Sequence, residues 1–161
     1  MTIRLRPATA QDDFEAVAEL YLTVWRATYV TQLPAAYLAQ LTAATWQPQK
    51  RWRQTILAFE ADQVVGVCAF GPARPATWAG RQEIYSLYVL PAFQRQGVGQ
   101  RLIQAAIARL GQPTPIMLAV LASNQAARRF YETQGFVAVG TPYRVKLSTK
   151  MSLTEQAYQL G

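Results

Sequence analysis

Residues 83–110 read EIYSLYVLPAFQRQGVGQRLIQAAIARL, and the order of the parts in this stretch decides the fold. EIYSLYVLP is an apolar run rich in aromatic and β-branched residues, closed by Pro91, and is predicted to be a central strand. From Gly97 to Leu110 the apolar positions Val98, Leu102, Ile103, Ala106, Ile107 and Leu110 recur at three- and four-residue steps. That spacing predicts an amphipathic helix, with Gly111 as its C-cap. Between strand and helix lies QRQGVG, whose two glycines each cost about 1 kcal/mol relative to alanine in or beside a helix. A helix start leaves backbone N–H groups without partners and carries the positive end of the helix dipole. Glycines there let a phosphate approach the backbone, and Arg95 and Arg101 add attraction.

Several phosphate loops have this general form. A Walker A loop needs a Gly-Lys-Ser/Thr ending, which GVGQRL lacks. A dinucleotide fingerprint needs a third glycine where Leu102 stands, and an acidic ribose partner that is missing here. What remains is a pyrophosphate loop of another kind.

Outward from this stretch, TIRLRPA alternates as a first strand, and Thr9 with Asp12 forms a capping signal. Phe14, Val17, Tyr21, Val24, Trp25 and Thr28 then lie at helical spacing. LPAAYLAQL allows a short second helix with Pro34 near its start, and TWQPQKRWRQ a short helix or irregular segment. TILAFEADQVVGVCAFGP reads as two strands about a tight ADQ turn. PIMLAVLA is a buried strand, SNQAARRFYETQ a helix ending at Gly135, and FVAVGTPYRVKLSTKMSL is expected to supply the last two strands. The order predicts one α/β domain over residues 1–161 with a mixed sheet, its strand–helix units being right-handed crossovers.

Composition narrows the chemistry. Half the residues are apolar and 11% aromatic, which excludes an intrinsically disordered chain. No apolar leader opens the sequence, and VVGVCAF is too short to cross a membrane, so neither a signal peptide nor a membrane partner is expected. The single cysteine, Cys68, excludes an internal disulfide framework and points to a reducing cytoplasm; it reads as a small buried hydrophobe. The absence of histidine removes Ser-His-Asp and Cys-His catalysis and the commonest metal ligand, and no metal is expected. A net charge of +7 suits an anionic partner such as a phosphorylated cofactor, and equally serves solubility.

VLPAFQRQGVGQRLI resembles motif A of the GNAT superfamily of acetyl-CoA-dependent N-acetyltransferases, whose loop pattern Gln/Arg-x-x-Gly-x-Gly/Ala is matched by Gln94, Gly97 and Gly99. NQAARRFYETQGF resembles the family's motif B helix, with Asn124, Ala127, Tyr131 and the closing Gly135-Phe136. The two motifs occur in the family's order with a strand between them. LYLTVWRATYVTQLPAAYL is similar to a bacterial subgroup with a Trp-x-x-x-Tyr helix and a Leu-Pro turn.

The resemblance implies a central mixed, mostly antiparallel, twisted sheet flanked by helices. It implies transfer of the acetyl group of acetyl-CoA to a primary amine, on a small molecule or peptide, by direct attack through a tetrahedral intermediate. The backbone of Leu87, Tyr88 and Val89 would pair with the pantetheine arm, and the Val89 N–H would sit near the thioester oxygen. Gln94, Arg95, Gln96, Gly97, Val98, Gly99 and Gln100 would hold the pyrophosphate. Asn124 would hydrogen-bond the cofactor arm; from the residues alone it reads equally as a helix N-cap. Tyr131 would contact the cofactor and protonate the leaving thiolate.

The acceptor amine must lose a proton before it attacks. Glu83, at the start of the central strand, is the expected base, with water as the alternative; the blander reading of Glu83 is a solvated strand end. Tyr85 would share its face, and Trp25, Tyr29 and Tyr37 are candidate walls of the acceptor site. Two rival readings are a non-catalytic acetyl-CoA-binding domain and a basic nucleic-acid module. The second would want arginines and aromatics interleaved on one surface, whereas Arg51, Arg53, Arg128 and Arg129 are scattered and no nucleic acid is expected. Oligomeric state stays open, homodimers being frequent in the family.

Overall fold

Apolar and β-branched residues crowd Thr55–Glu60 and Gln63–Pro72, and these segments become neighbouring antiparallel strands buried along most of their length. The computed structural model describes residues 2–111 and 114–161. In chain order the elements are β1 (Ile3–Pro7), α1 (Phe14–Tyr29), α2 (Ala35–Gln40), β2 (Thr55–Glu60), β3 (Gln63–Pro72), β4 (Gln82–Val89), α3 (Val98–Leu110), β5 (Ile116–Leu121), α4 (Gln125–Thr133), β6 (Val137–Lys146) and β7 (Ser152–Leu160). Short 3-10 turns at Pro48–Gln54 and Pro91–Phe93 fill two of the connections. The strands follow the order β1-β2-β3-β4-β5-β7-β6. β4 and β5 run parallel, while β1–β2, β2–β3, β5–β7 and β6–β7 are antiparallel. This is the mixed sheet that the element order predicts, and the mostly antiparallel one that the resemblance implies.

The chain packs as two units. One holds the residues up to Phe70 together with Tyr85–Arg109; the other holds Gly71–Ile84 and Leu110–Gly161. In the first, Val17, Leu20, Tyr21 and Val24 form one buried stripe of α1 and pack on Leu57, Phe59 and Val67 of β2 and β3. Full burial of each large apolar side chain contributes roughly 1.5–3 kcal/mol before entropy is charged against it. On α3 the corresponding stripe is Val98, Leu102, Ile103 and Ala106. Gly66 on β3 lets that helix come close, since a Cβ there would stand 2.9 Å from Leu102 Cδ1. The expected cap at Thr9 is displaced to Asp13, whose carboxylate accepts from the Ala16 N–H at 3.1 Å. Asp12 instead turns back, accepting from the Thr9 N–H at 2.6 Å and from Arg6 Nη1 at 2.9 Å.

The second unit centres on Trp78, Met117 and Ala157, with Phe136 and Tyr158 also buried. The last two strands do not both lie within residues 136–153: VAVGTPYRVK is one strand, and its partner is SLTEQAYQL at Ser152–Leu160. The β6–β7 register shifts between Val139 and Tyr143, where Gly140 takes φ +70° and the run is too irregular to alternate. The buried Gln156 amide spans the irregularity, donating to the Val139 carbonyl at 3.1 Å and to the Gly140 carbonyl at 3.3 Å.

Candidate active site

In the first unit the site begins where β4 ends. Gln94 Nε2 donates to the Val89 carbonyl at 2.9 Å, folding the loop back onto the end of the strand. Gln96 Nε2 donates to the Ala92 carbonyl at 3.2 Å. Arg95 has φ +61° and Gly97 φ +80°, two left-handed residues within three positions, just before α3 begins at Val98. A non-glycine residue in this region costs roughly 1–2 kcal/mol, and such strain gathers at ligand sites. Left-handed and turn conformations next to a helix start gather successive N–H groups into a concavity for anions. The first intrahelical bond runs from the Arg101 N–H to the Gly97 carbonyl at 3.0 Å, so the N–H groups of Val98, Gly99 and Gln100 precede the point where the ladder starts. Nothing stands within 4 Å of a Cβ built on Gly97, which leaves its φ as what demands glycine there. Arg101 Nη1 donates to the Ile3 carbonyl at 2.9 Å and helps tie the helix to β1.

Leu87, Tyr88 and Val89 lie along the strand before this loop, Val89 buried and the other two half-buried. The Tyr88 ring meets Tyr21 of α1 edge-on at 5.2 Å, and the Tyr21 hydroxyl lies 3.1 Å from Ser86 Oγ. Burial pushes the Tyr21 hydroxyl pKa up, which keeps it protonated. Trp25 and Tyr29 are half-buried and stack on each other at 4.1 Å, with Trp46 at 6.0 Å from Trp25. Tyr37 is half-buried on α2. Arg51 lies over the Tyr85 ring at 4.6 Å, and Arg53 over Trp52 at 4.4 Å, so each of these arginines stacks on a ring of its own unit. A separate cleft of about 770 Å³ is lined by Asp12, Phe14, Glu15, Glu19 and Trp46 among others, and takes in none of the predicted site residues.

The second unit holds Asn124, Tyr131 and Glu83. Asn124 caps α4, its side-chain oxygen accepting from the Ala127 N–H at 3.1 Å. The helix is held to β7 through Tyr158, which is wholly buried. Arg128 Nε donates to the Tyr158 hydroxyl at 3.0 Å, and that hydroxyl donates to Glu132 Oε2 at 2.8 Å. Arg128 Nη1 also donates to the Ala122 carbonyl at 3.0 Å. Tyr131 is half-buried, with Phe130 at 5.3 Å and Phe136 at 6.0 Å, both edge-on.

Glu83 is not a solvated strand end. It is 4% exposed, and Arg74 engages both of its oxygens. The Arg74 N–H and Nε donate to Oε1 at 2.9 and 3.2 Å, and Nη2 donates to Oε2 at 2.9 Å. Around this pair stand two residues that the sequence reading missed. Tyr143 on β6 lies directly opposite Glu155 on β7. The hydroxyl of Tyr143 is pushed up to about 12, first by burial and then by the charges of Glu155 and Glu83. The Glu155 carboxyl is raised by burial and by Glu83, against a lowering from Arg74. Arg74 and Glu155 carry no local motif, and the misplaced last strand hid the pairing of Tyr143 with Glu155.

A model of the acetyltransferase (GNAT) family matches residues 14–136. The chain is similar to an N-acetyltransferase of Bacillus subtilis, YuaI, at 30% identity over 96 residues, 57% of this chain and 56% of that one. It is similar to a probable N-acetyltransferase of Mycobacterium tuberculosis, Rv2775, at 28% identity, with 98% of this chain and 93% of that one covered. So the chain spans little more than half of the first relative's length and nearly all of the second's. Among solved structures, the PaiA N-acetyltransferase of Thermoplasma acidophilum in complex with coenzyme A has the same fold, with a TM-score of 0.74 at 19% identity over 98% of both chains.

Proposed function

The chain belongs to the acetyltransferase (GNAT) family and is an acetyl-CoA-dependent acyltransferase, and from that premise we propose that it moves the acetyl group of acetyl-CoA to a primary amine by direct attack on the thioester. The observation that carries the reading is the loop Gln94–Gly99, closed onto Val89 and strained at Arg95 and Gly97 immediately before the α3 N-terminus. An anion site of that kind fits the pyrophosphate of the acetyl donor, held by backbone N–H groups from Arg95 to Gln100.

In this reading the backbone of Leu87, Tyr88 and Val89 pairs with the pantetheine arm, and the Val89 N–H stabilises charge developing on the thioester oxygen. Backbone donors of this type contribute about 3–4 kcal/mol to transition-state stabilisation in other enzymes. Asn124 combines its capping role with a hydrogen bond to the arm. Tyr131 protonates the departing sulfur, the role of a general acid toward a thiolate leaving group. Trp25, Tyr29, Tyr37 and Tyr85 belong to the acceptor side. We also take residues 1–161 as one N-acetyltransferase domain and, from the single buried cysteine, place it in the cytoplasm.

The test is release of coenzyme A thiol from acetyl-CoA in the presence of a panel of primary amines: spermidine, L-lysine amide, benzylamine and an unblocked tetrapeptide. Amine-dependent thiol release with a matching acetylated product supports the reading. Acetyl-CoA binding without transfer to any amine favours the silent cofactor-binding domain.

A further inference from the structure

α4 is nine residues long, and none of its side chains is fully buried. A helix that short is marginal alone and normally owes its place to an apolar face packed on the sheet. α4 has a polar anchor instead. The Tyr158 hydroxyl accepts from Arg128 Nε at 3.0 Å and donates to Glu132 Oε2 at 2.8 Å, so one oxygen holds two residues that lie one helical turn apart. Tyr158 is itself fixed: it is wholly buried on β7, opposite Leu118 of β5 and Ala138 of β6, with a paired strand on each side. Arg128 Nη1 adds a bond to the Ala122 carbonyl at 3.0 Å, in the turn before the helix. A buried hydroxyl is costly unless partnered, and phenylalanine would fill the same space without that demand.

We propose that Tyr158 is a positioning residue: through Arg128 and Glu132 it fixes the rotation of α4 about its axis, and with it the place of the Tyr131 hydroxyl. Tyr131 stands between the two anchored residues, three after Arg128 and one before Glu132, and turns with them. Of its two ring neighbours, Phe130 belongs to the same helix and turns too, which leaves the edge of Phe136 at 6.0 Å as the contact beyond it. A side-chain atom about 6 Å from a helix axis moves about 1 Å for each 10° of rotation. A misplacement of about 1 Å can cost a hundredfold in rate. That this placement serves catalysis rests on the acetyltransferase reading above, in which Tyr131 is the acid.

The experiment compares wild type, Tyr158→Phe, Glu132→Leu and Glu132→Gln, each also in a Tyr131→Phe background. The readouts are acetyl-CoA affinity by calorimetry, kcat for the most active amine of the panel, and carbon-13 NMR of ring-labelled tyrosine, with the Tyr131 signal assigned by its loss in Tyr131→Phe. Tyr158→Phe is expected to keep acetyl-CoA affinity within about threefold and to lose about ten- to a hundredfold in kcat. Glu132→Leu, at an exposed position that leaves the core intact, should show the same loss. Glu132→Gln keeps an acceptor oxygen and should recover most of it. In the Tyr131→Phe background the Tyr158→Phe loss should shrink below about twofold, because residues that act through one group are not additive. The Tyr131 ring signal should shift or broaden in Tyr158→Phe and in Glu132→Leu, while that of Tyr37 stays in place.

Where Tyr131→Phe lowers kcat, an unchanged kcat in Tyr158→Phe overturns the proposal. So does an equal fractional loss with and without the Tyr131 hydroxyl, the mark of a merely structural role. A Tyr131 signal that is the same in Tyr158→Phe as in wild type overturns it whatever kcat does. Full kcat in Tyr131→Phe, or no thiol release by the wild type with any amine, removes the acid reading instead, and the ring signal then decides by itself whether Tyr158 sets the place of Tyr131.

Discussion

Arg74 grips Glu83 through its backbone N–H, its Nε and its Nη2, at 2.9, 3.2 and 2.9 Å, while about half of the arginine side chain stays in water and the glutamate is almost wholly covered. Removing the arginine leaves a buried carboxylate with one backbone donor. A fully buried broken pair costs about 3–5 kcal/mol. Exposure of the arginine side reduces this, and Arg74→Ala is expected to lose about 1–2 kcal/mol in urea unfolding at neutral pH. The double change Arg74→Met with Glu83→Gln should recover most of that loss, since no unpaired charge is then left inside. A single-variant loss no greater than that of an exposed arginine elsewhere would show that the pair is not structural.

Acid unfolding should report a second pair. Asp12, held by Arg6 and by the Thr9 N–H, has its pKa lowered to about 2 from an ordinary 3.8. A depressed folded-state value contributes stability that is present above the unfolded value and is lost as pH falls through the folded one. The window is therefore pH 4 down to pH 2. Discounted for the exposure of Arg6, the contribution is about 1 kcal/mol. Asp12→Asn should be less stable than wild type by that amount at pH 7, and the two unfolding curves should converge as pH approaches 2.

How much of this was legible beforehand depends on what each residue's signal is made of. The helix from Val98 and the buried strands β2, β3 and β5 follow from periodicity and from runs of β-branched residues, which depend only on near neighbours in sequence. Gly97 was legible because a positive φ restricts residue choice at one position. The end of the chain was not. Gly140 and Pro142 look like a turn between strands, yet β6 continues through them as an irregular strand that the Gln156 amide bridges from the neighbouring strand. The placement of Glu155 opposite Tyr143, and the reach of Arg74 to Glu83, are long-range or loop-borne relationships with no local pattern to announce them. The capping error at Thr9 has a smaller cause, two adjacent aspartates of which the second does the capping.

Tyr131 offers a separation of binding from chemistry. Tyr131→Phe keeps the ring contacts with Phe130 and Phe136 and removes only the hydroxyl. Acetyl-CoA affinity should hold within about twofold, while kcat should fall about a hundredfold, the lower range for loss of a general acid. An unchanged kcat removes the acid role and leaves Tyr131 as packing.

The account stands first on acetyl-CoA held by the loop before α3, and calorimetric titration of acetyl-CoA into the wild type and into Gly97→Glu measures that directly. Gly97 has φ +80° and open space around its Cα, so the substitution costs folding only about 1–2 kcal/mol of backbone strain and sets a carboxylate where the pyrophosphate belongs. One-to-one binding in the wild type, lost in a folded Gly97→Glu protein, is the predicted result. Equal binding by both proteins, or none by the wild type, would contradict it.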